Sequence, residues 1–294
     1  MKIDPDGRLR TIYSPGGTVT GRLNSTQTPW GTGWNSQNAP DWFREAIIPD
    51  RGYILGSVDL KQAEAVLTAY FAREPDMIKC FENKEDIHLF NAMNIYKKER
   101  SKITEDERYT AKRLVHAFDY LLGDDHAASI ANVSIFESKR IKKLYFQRFP
   151  RILDWHQEIK EEVFTTRTLR NPFGRRRIFL DRLGDDLLRK AVAHLPQSTC
   201  ADTTNQALLN MGENEVAFEF GIPKLKGIDS FLLLQIHDEV VFEFREKDLS
   251  QIKKLIKEAY DIPITIFDKT FQIGTEFKIS GESWGKMEKE GGSK

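Results

Sequence analysis

Residues 231–244 read FLLLQIHDEVVFEF. Two apolar runs rich in branched and aromatic side chains, 231–236 and 240–244, flank a short polar turn, and this predicts an antiparallel hairpin. The turn is not the usual one. Tight hairpin turns favour Asn-Gly or Asp-Gly, whereas here His237, Asp238 and Glu239 stand at the tip. A second apolar strand, YILGSVD at 53–59, also ends on an acid, Asp59, and is followed by a helical pattern over 62–72. Strands and helices mix along the rest of the chain without regular alternation. The expected class is therefore α+β with an antiparallel sheet.

The two acidic sites have two readings each. Asp59 suits a helix N-cap, with Gln62 three residues on, and Asp238 suits an ordinary turn. Acids at the end of buried strands, however, cost desolvation unless cations or donors meet them. Two aspartates on adjacent strands of one sheet would hold a pair of Mg2+ ions roughly 3.5–4 Å apart, one activating an attacking 3′-hydroxyl and both stabilising a transferring phosphoryl group.

Thr104 and Glu107 form a capping-box signature that opens a helix running to about residue 120. On it Arg108, Lys112, His116 and Tyr120 recur every four residues, so they share one face that drifts slowly round the axis. Two fixed cations, an imidazole and a phenol suit a triphosphate and then a base; the same stripe also suits a solvated face. Further helices are expected over 129–149, stopping at Pro150, over 152–165, over 186–211 with a break near Pro196, and over 250–260. Residues 14–40 read as loop, and 271–279 as a last strand.

Composition bounds the rest. The 294 residues are 40% hydrophobic and 30% charged, those of an ordinary globular protein. No apolar run reaches the roughly 18 residues of a membrane span, and MKIDPDGRLR is not a secretory signal. Cys80 and Cys200 lie far apart in no metal-binding spacing, which favours a reducing compartment. A cytoplasmic location and no membrane partner are expected. The 44 basic and 44 acidic residues cancel, so bulk charge gives no sign of a nucleic-acid partner. Local clusters do occur, at ESKRIKK (137–143) and TRTLRNPFGRRR (166–177), and each is also consistent with a solvated surface.

Taken in order, seven blocks resemble family A DNA polymerases, of the DNA polymerase I type, over nearly the whole chain. TVTGRLNS followed by NSQNAP resembles TGRLSS…NLQNIP, and VDLKQAE resembles motif A. DIHLFNA resembles DIHxxTA. ERYTAKRLVHAFDY resembles motif B, RxxxKxxxFxxxYG. TLRNPFGRRR resembles TxxGRRR, HLPQSTCADTTNQAL resembles the NxPxQGxAAD helix, and QIHDEVVFE resembles motif C. The ending GTEFKISGESWGKM resembles the family's C-terminal strand and GxxW.

The resemblance implies a right-hand polymerase core. Palm segments at 1–86 and 186–294 would hold an antiparallel sheet and flank helical fingers at 87–185. It implies template-directed addition of dNTPs to a primer 3′ end by two-metal nucleotidyl transfer. Asp59 and Asp238 would bind the two Mg2+ ions, with Glu239 a supporting acid. Arg108, Lys112 and His88 would hold the triphosphate, Lys112 also protonating departing pyrophosphate. Gln62 and Glu64 would line the sugar pocket, Glu64 excluding a 2′-hydroxyl. Tyr120, with His116 one turn before it, would sit beside the nascent pair. Arg22, Gln197 and His237 would track primer and minor groove; Gln37 and Asn38 would meet the template duplex, and Arg175 of the basic cluster would bind DNA.

Some positions depart from the pattern: Leu60 and Lys61 in motif A, Val115, His116 and Ala117 in motif B, Leu121 in place of a glycine, and PQSTC in place of PxQGT. TPWGTGW resembles an insertion of phage-type members, so a bacterial or phage-infected cell is the expected setting. The resemblance begins at KIDPDGRLRT, after the place where thumb helices end. A thumb and exonuclease are thus expected elsewhere, on a longer parent chain or on a separate partner chain. A single-subunit RNA polymerase is disfavoured by Glu64. An inactive DNA-binding remnant is disfavoured by retention of Asp59 and Asp238, and a two-carboxylate nuclease by the Arg108–Tyr120 stripe.

Overall fold

The computed structural model describes residues 2–212 and 224–290. The chain folds as two compact units. One comprises Met1–Lys61, Cys200–Ile264 and Thr270–Lys294; the other comprises Gln62–Thr199 and Thr265–Lys269. Among the described residues no helix is long and apolar enough to cross a membrane.

The first unit is built on a five-stranded, wholly antiparallel sheet. Its spatial order is Glu288–Lys289, Thr275–Ser280, Ile54–Leu60, Glu239–Phe244, Ser230–Ile236. The strand that ends on Asp59 therefore lies between the hairpin arm Glu239–Phe244 and the strand Thr275–Ser280. Cross-strand partners share a face, so the register sorts the side chains. Gly56 pairs with Phe242 on one side and Ile279 on the other; Ser57 pairs with Val241 and Lys278. The Gly56 face is aromatic: Phe242 lies 5.8 Å from Phe244 and stacks on Phe277 at 6.2 Å. On the Leu55 face, Leu55, Val241, Ile236, Ala39 and Trp284 form a buried cluster. Farther along that face the apolar side chains give way to Asp59 and its cross-strand neighbour Glu276.

The outer hairpin strand is irregular between Leu232 and Leu234. Its Gln235 N–H donates to the Tyr13 hydroxyl at 2.9 Å. Tyr13 also meets Ser36 Oγ at 3.0 Å. The expected loop over 14–40 contains one short ribbon edge, since Ile12–Ser14 pairs with Asn24–Thr26.

The second unit is mainly helical. Helices Ala63–Ala72, Pro75–Glu82, Ile87–Tyr96, Glu105–Asp119, Asp124–Ala131, Ile135–Arg148 and Arg151–Thr166 precede a small hairpin, Thr168–Arg170 with Arg176–Ile178. The capping box forms as expected: Thr104 Oγ1 accepts from Glu107 N–H, and the Glu107 carboxylate accepts from Thr104 N–H. Three expectations change. The pattern over 129–149 is two helices, because Asn132 takes the left-handed conformation at φ 55° and Ser134 caps a new start. The helix Asp185–Met211 runs unbroken through Pro196. Proline deletes one N–H rung there, and the buried residues on both sides keep the axis continuous, with Thr199 Oγ1 donating to the Leu195 carbonyl at 2.7 Å. The last strand is two pieces, Lys269–Phe271 and Thr275–Ser280.

Aromatic rings fill the helical unit's core. Phe118, Tyr145 and Phe149 are buried, with Tyr145 5.2 Å from Phe149. Among them sits an acid, Asp119, 3% exposed. The Tyr145 hydroxyl donates to Asp119 Oδ1 at 2.6 Å. Burial pushes its carboxyl up to about 7, with Glu64 adding to the rise against the Tyr145 hydrogen bond.

Two predictions follow from these cores. An alanine Cβ at Gly56 would lie 2.7 Å from Phe242 Cε2 and 2.9 Å from Phe244 Cε1. Gly56→Ala is expected to cost about 1–3 kcal/mol by overpacking, read as a lower urea midpoint with the same m-value. The second concerns Asp119, whose folded-state pKa is raised, so the native state binds its proton more tightly than the unfolded chain does. That contribution is complete below the ordinary value of 3.8 and is lost as pH rises through about 7. Asp119→Asn, which keeps an acceptor for Tyr145 but does not ionise, is expected to flatten the fall in stability to denaturant between about pH 4 and about pH 7.

Candidate active site

The acid site is held by the sheet unit alone. Val58 pairs with Val240 and Ile236 with Glu239, so the two hairpin strands are joined by only His237 and Asp238. His237 takes φ 57°, a left-handed value that a two-residue turn normally gives to glycine. The Gln235 carboxamide donates to the His237 carbonyl at 2.8 Å and supports the bend. Asp59 lies on the neighbouring strand, one residue beyond the Val58–Val240 pair. Burial pushes its carboxyl up to about 7; Asp238 and then Glu239 add to the rise, and Lys278 opposes it.

Glu276 and Lys278 escaped the reading of the sequence. Their alternation in TEFKIS was visible, but their place beside Asp59 depends on a register between distant segments. Glu276 is itself countered by Lys289 at 2.6 Å.

The donor chemistry suits a hard cation. Asp59 and Asp238 offer carboxylate oxygens that repel one another, which is the charge a divalent ion relieves. Among the described residues no three acid, histidine or cysteine side chains converge as a closed cage. A pair of carboxylates fits Mg2+, which keeps waters and takes further oxygens from substrate phosphates.

The helical unit carries the cationic stripe. Lys112 and His116 are exposed on Glu105–Asp119. Arg108 is held from behind: its Nε and Nη2 donate to Asp86 Oδ2 at 2.8 and 2.6 Å. Asp86 also caps the helix Ile87–Tyr96, accepting from His88 N–H at 2.9 Å and Leu89 N–H at 3.2 Å through its other oxygen. One carboxylate thus fixes both the guanidinium and the helix bearing His88. His88 is buried, which pushes its ring down to about 4, and nearby Lys112 pushes the same way. It is neutral at neutral pH and ready to donate or accept. Beside the stripe, Asp86, Arg100, Thr104 and Arg108 are among the lining of a cleft of about 680 Å³.

The far end of the stripe meets the helix Ala63–Ala72. The Tyr120 hydroxyl donates to Glu64 Oε2 at 2.5 Å. His116 Nε2 lies 3.6 Å from the same oxygen, and the His116 and Tyr120 rings meet edge to face at 4.7 Å. Gln62, at the start of that helix, takes the left-handed conformation at φ 54°, and its buried Oε1 has no hydrogen-bond partner among the described residues. Asp119, one residue before Tyr120, was also missed. The available signal was an acid four residues after buried Val115 on the apolar side of an amphipathic helix.

The residues expected at DNA are spread over both units. In the sheet unit Arg22 is half-buried, while Asn38 and His237 are exposed. The Gln37 carboxamide is engaged within the fold, donating to the Leu23 carbonyl at 2.7 Å and accepting from Ser25 N–H at 3.3 Å. In the helical unit Gln197 is half-buried on Asp185–Met211. Arg175 sits in a turn organised by Asn171, whose Oδ1 accepts from Phe173 N–H at 3.1 Å and Arg175 N–H at 2.9 Å. Exposed Arg170 and Arg176 flank that turn on the paired strands.

The family model described as DNA polymerase family A matches residues 1–286. DNA polymerase I of Helicobacter pylori is 29% identical over 286 residues, covering 91% of this chain and 30% of that protein. The thermostable DNA polymerase I of Thermus filiformis is 27% identical, covering 88% and 32%. Among solved structures, the POL domain of Pol1 from M. smegmatis in complex with DNA primer-template and dNTP aligns with a TM-score of 0.79 at 25% identity, covering 97% of this chain and 49% of that one. The chain spans about a third of the length of the curated relatives it matches. With a family match along nearly its full length and an α+β fold on an antiparallel sheet, the chain belongs to DNA polymerase family A.

Proposed function

We propose that this chain is the palm-and-fingers region of a template-directed DNA polymerase, adding dNTPs to a primer 3′ end by two-metal nucleotidyl transfer. The observation that carries this reading is the pairing of the Asp59 strand with the hairpin whose tip holds Asp238. The Mg2+ ions would supply Lewis-acid activation of the primer hydroxyl and charge stabilisation of the phosphoryl group. Asp59 and Asp238 would hold them, and Glu239 would keep the local field negative. Palm segments 1–86 and 186–294 would carry this chemistry, and fingers 87–185 would deliver the nucleotide.

The chain's other groups have distinct tasks. Lys112 and Arg108 pair with triphosphate oxygens, and Lys112 gives a proton to the departing pyrophosphate. Arg108 is already oriented by Asp86, so little rotamer freedom is lost on binding. Neutral His88 adds a hydrogen bond rather than a charge. Glu64 and Gln62 pack against the sugar, and Glu64 leaves no room for a 2′-hydroxyl. Tyr120 and His116 meet the nascent base pair. Primer–template DNA is contacted by Arg22, Asn38, Gln197, His237 and Arg175, with Gln37 bracing the loop that presents Asn38. A thumb and exonuclease, on a longer parent chain or on a separate partner chain, would add phosphate contacts. A cytoplasmic setting accords with the two free cysteines.

Primer extension with Mg2+ and dNTPs tests the reading. Asp59→Asn and Asp238→Asn are expected to abolish extension while primer–template binding remains within about twofold; full activity in either variant overturns the two-metal assignment. Lys112→Ala and Arg108→Ala are expected to lower single-turnover incorporation by about 10²-fold, the scale of removing one preorganised charge from a developing oxyanion. Their DNA affinity should stay unchanged. Lost DNA affinity with normal incorporation at saturating substrates would make the stripe a duplex-binding surface instead.

A further inference from the structure

The cationic helix ends in a conformation that its own sequence does not secure. Leu122 N–H bonds to the Ala117 carbonyl at 2.9 Å and Leu121 N–H to the Phe118 carbonyl at 3.1 Å. These are the paired bonds of a Schellman end. The left-handed position of such an end is ordinarily glycine, because a Cβ crowds the following carbonyl. Here it is Leu121, at φ 55°, so the helix end needs holding from elsewhere.

Two contacts hold it, both on Asp119. The Tyr145 hydroxyl donates to its carboxylate at 2.6 Å, and His156 Nε2 meets its carbonyl oxygen at 2.9 Å. Tyr145 belongs to Ile135–Arg148 and His156 to Arg151–Thr166, so the last residue of the cationic helix is fastened to two other helices. All three residues are at least 95% buried. Among the described residues Glu64, of the same sign, also acts on Asp119. Leucine would fill this volume without the desolvation penalty. A carboxyl placed here at such cost points to a task beyond packing.

We propose that the Asp119–Tyr145 hydrogen bond is a tether that positions the Tyr120–Glu64 pair and thereby sets how strictly the site excludes ribonucleotides. The proposal rests on Glu64 being the sugar-excluding residue. Asp119 does not touch the nucleotide; it acts through Tyr120, the next residue, whose hydroxyl holds the Glu64 carboxylate. Without the tether the Leu121 strain is relieved by fraying of the last turn. Tyr120 then leaves Glu64, and the freed carboxylate swings away from the 2′ position.

The test compares kcat/KM for dNTP and rNTP in Tyr145→Phe, Asp119→Leu and Asp119→Asn, with Glu64→Ala as reference. Amide hydrogen exchange at Leu121 and Leu122 is measured on the same proteins. Glu64→Ala should lower the dNTP preference. Tyr145→Phe and Asp119→Leu should lower it by about tenfold and speed exchange at the helix end. Asp119→Asn, which keeps the acceptor, should stay within about twofold of the parent in both. If either single variant does not fold, the double variant Asp119→Leu with Tyr145→Phe, which leaves neither partner of the bond unpaired, carries the test. If Glu64→Ala relaxes selection while both tether variants leave it unchanged, the proposal is overturned. If Glu64→Ala itself changes nothing, the sugar-selection claim falls through Glu64, and the exchange data then show separately whether the tether holds the helix end.

Discussion

Negative charge at the end of a buried strand is the constraint around which the sheet unit is arranged. Asp59 has apolar residues behind it on its own strand and carboxylates beside it across the sheet, and burial with those neighbours lifts its pKa to about 7. An apolar cluster around Leu55 and Trp284 covers the same face lower down. That cover keeps the strand rigid and stops short of Asp59, so the costliest groups lie where solvent or a cation reaches them. Lys278 and Lys289 lie on the two strands beyond Asp59 and partly offset the charge. The fold thus tolerates the acidic cluster without neutralising it.

The helical unit handles charge in the opposite way. Lys112 is exposed and Arg108 half-buried on its cationic helix, and acids of the scaffold hold the stripe. Asp86 organises Arg108 and the helix bearing His88 through a single carboxylate. Glu64 collects Tyr120 and the edge of His116. Each acid converts a flexible side chain into one with a fixed direction.

The strands around 53–59 and 231–244, the capped helix and its polar stripe were legible in the sequence because their signals are local: period-two apolar runs, a capping box and four-residue recurrence. The hairpin tip was legible through its misfit, since His237 and Asp238 occupy a turn that prefers Asn-Gly. What was hidden depended on distant pairing. Glu276 faces Asp59 only because Thr275–Ser280 joins that strand in register. Asp119 reads as one more helix acid until Tyr145, 26 residues on, is found against it. Pro196 misled in the other direction, because local propensity predicts a break that the surrounding burial overrides.

The brace on the outer hairpin strand has a consequence for how copies of this chain behave together. Among the described residues Ser230–Ile236 is an outer strand of the sheet, and an open margin is a template on which a second chain can add a strand. Its irregularity between Leu232 and Leu234 breaks the straight run of donors and acceptors. The Tyr13 hydroxyl takes the Gln235 N–H that an incoming strand would need. Among the described residues the opposite outer strand is Glu288–Lys289, two charged residues long. The N-terminal segment thereby occupies a donor of the sheet edge from within the chain, the kind of device that blunts edge-to-edge pairing.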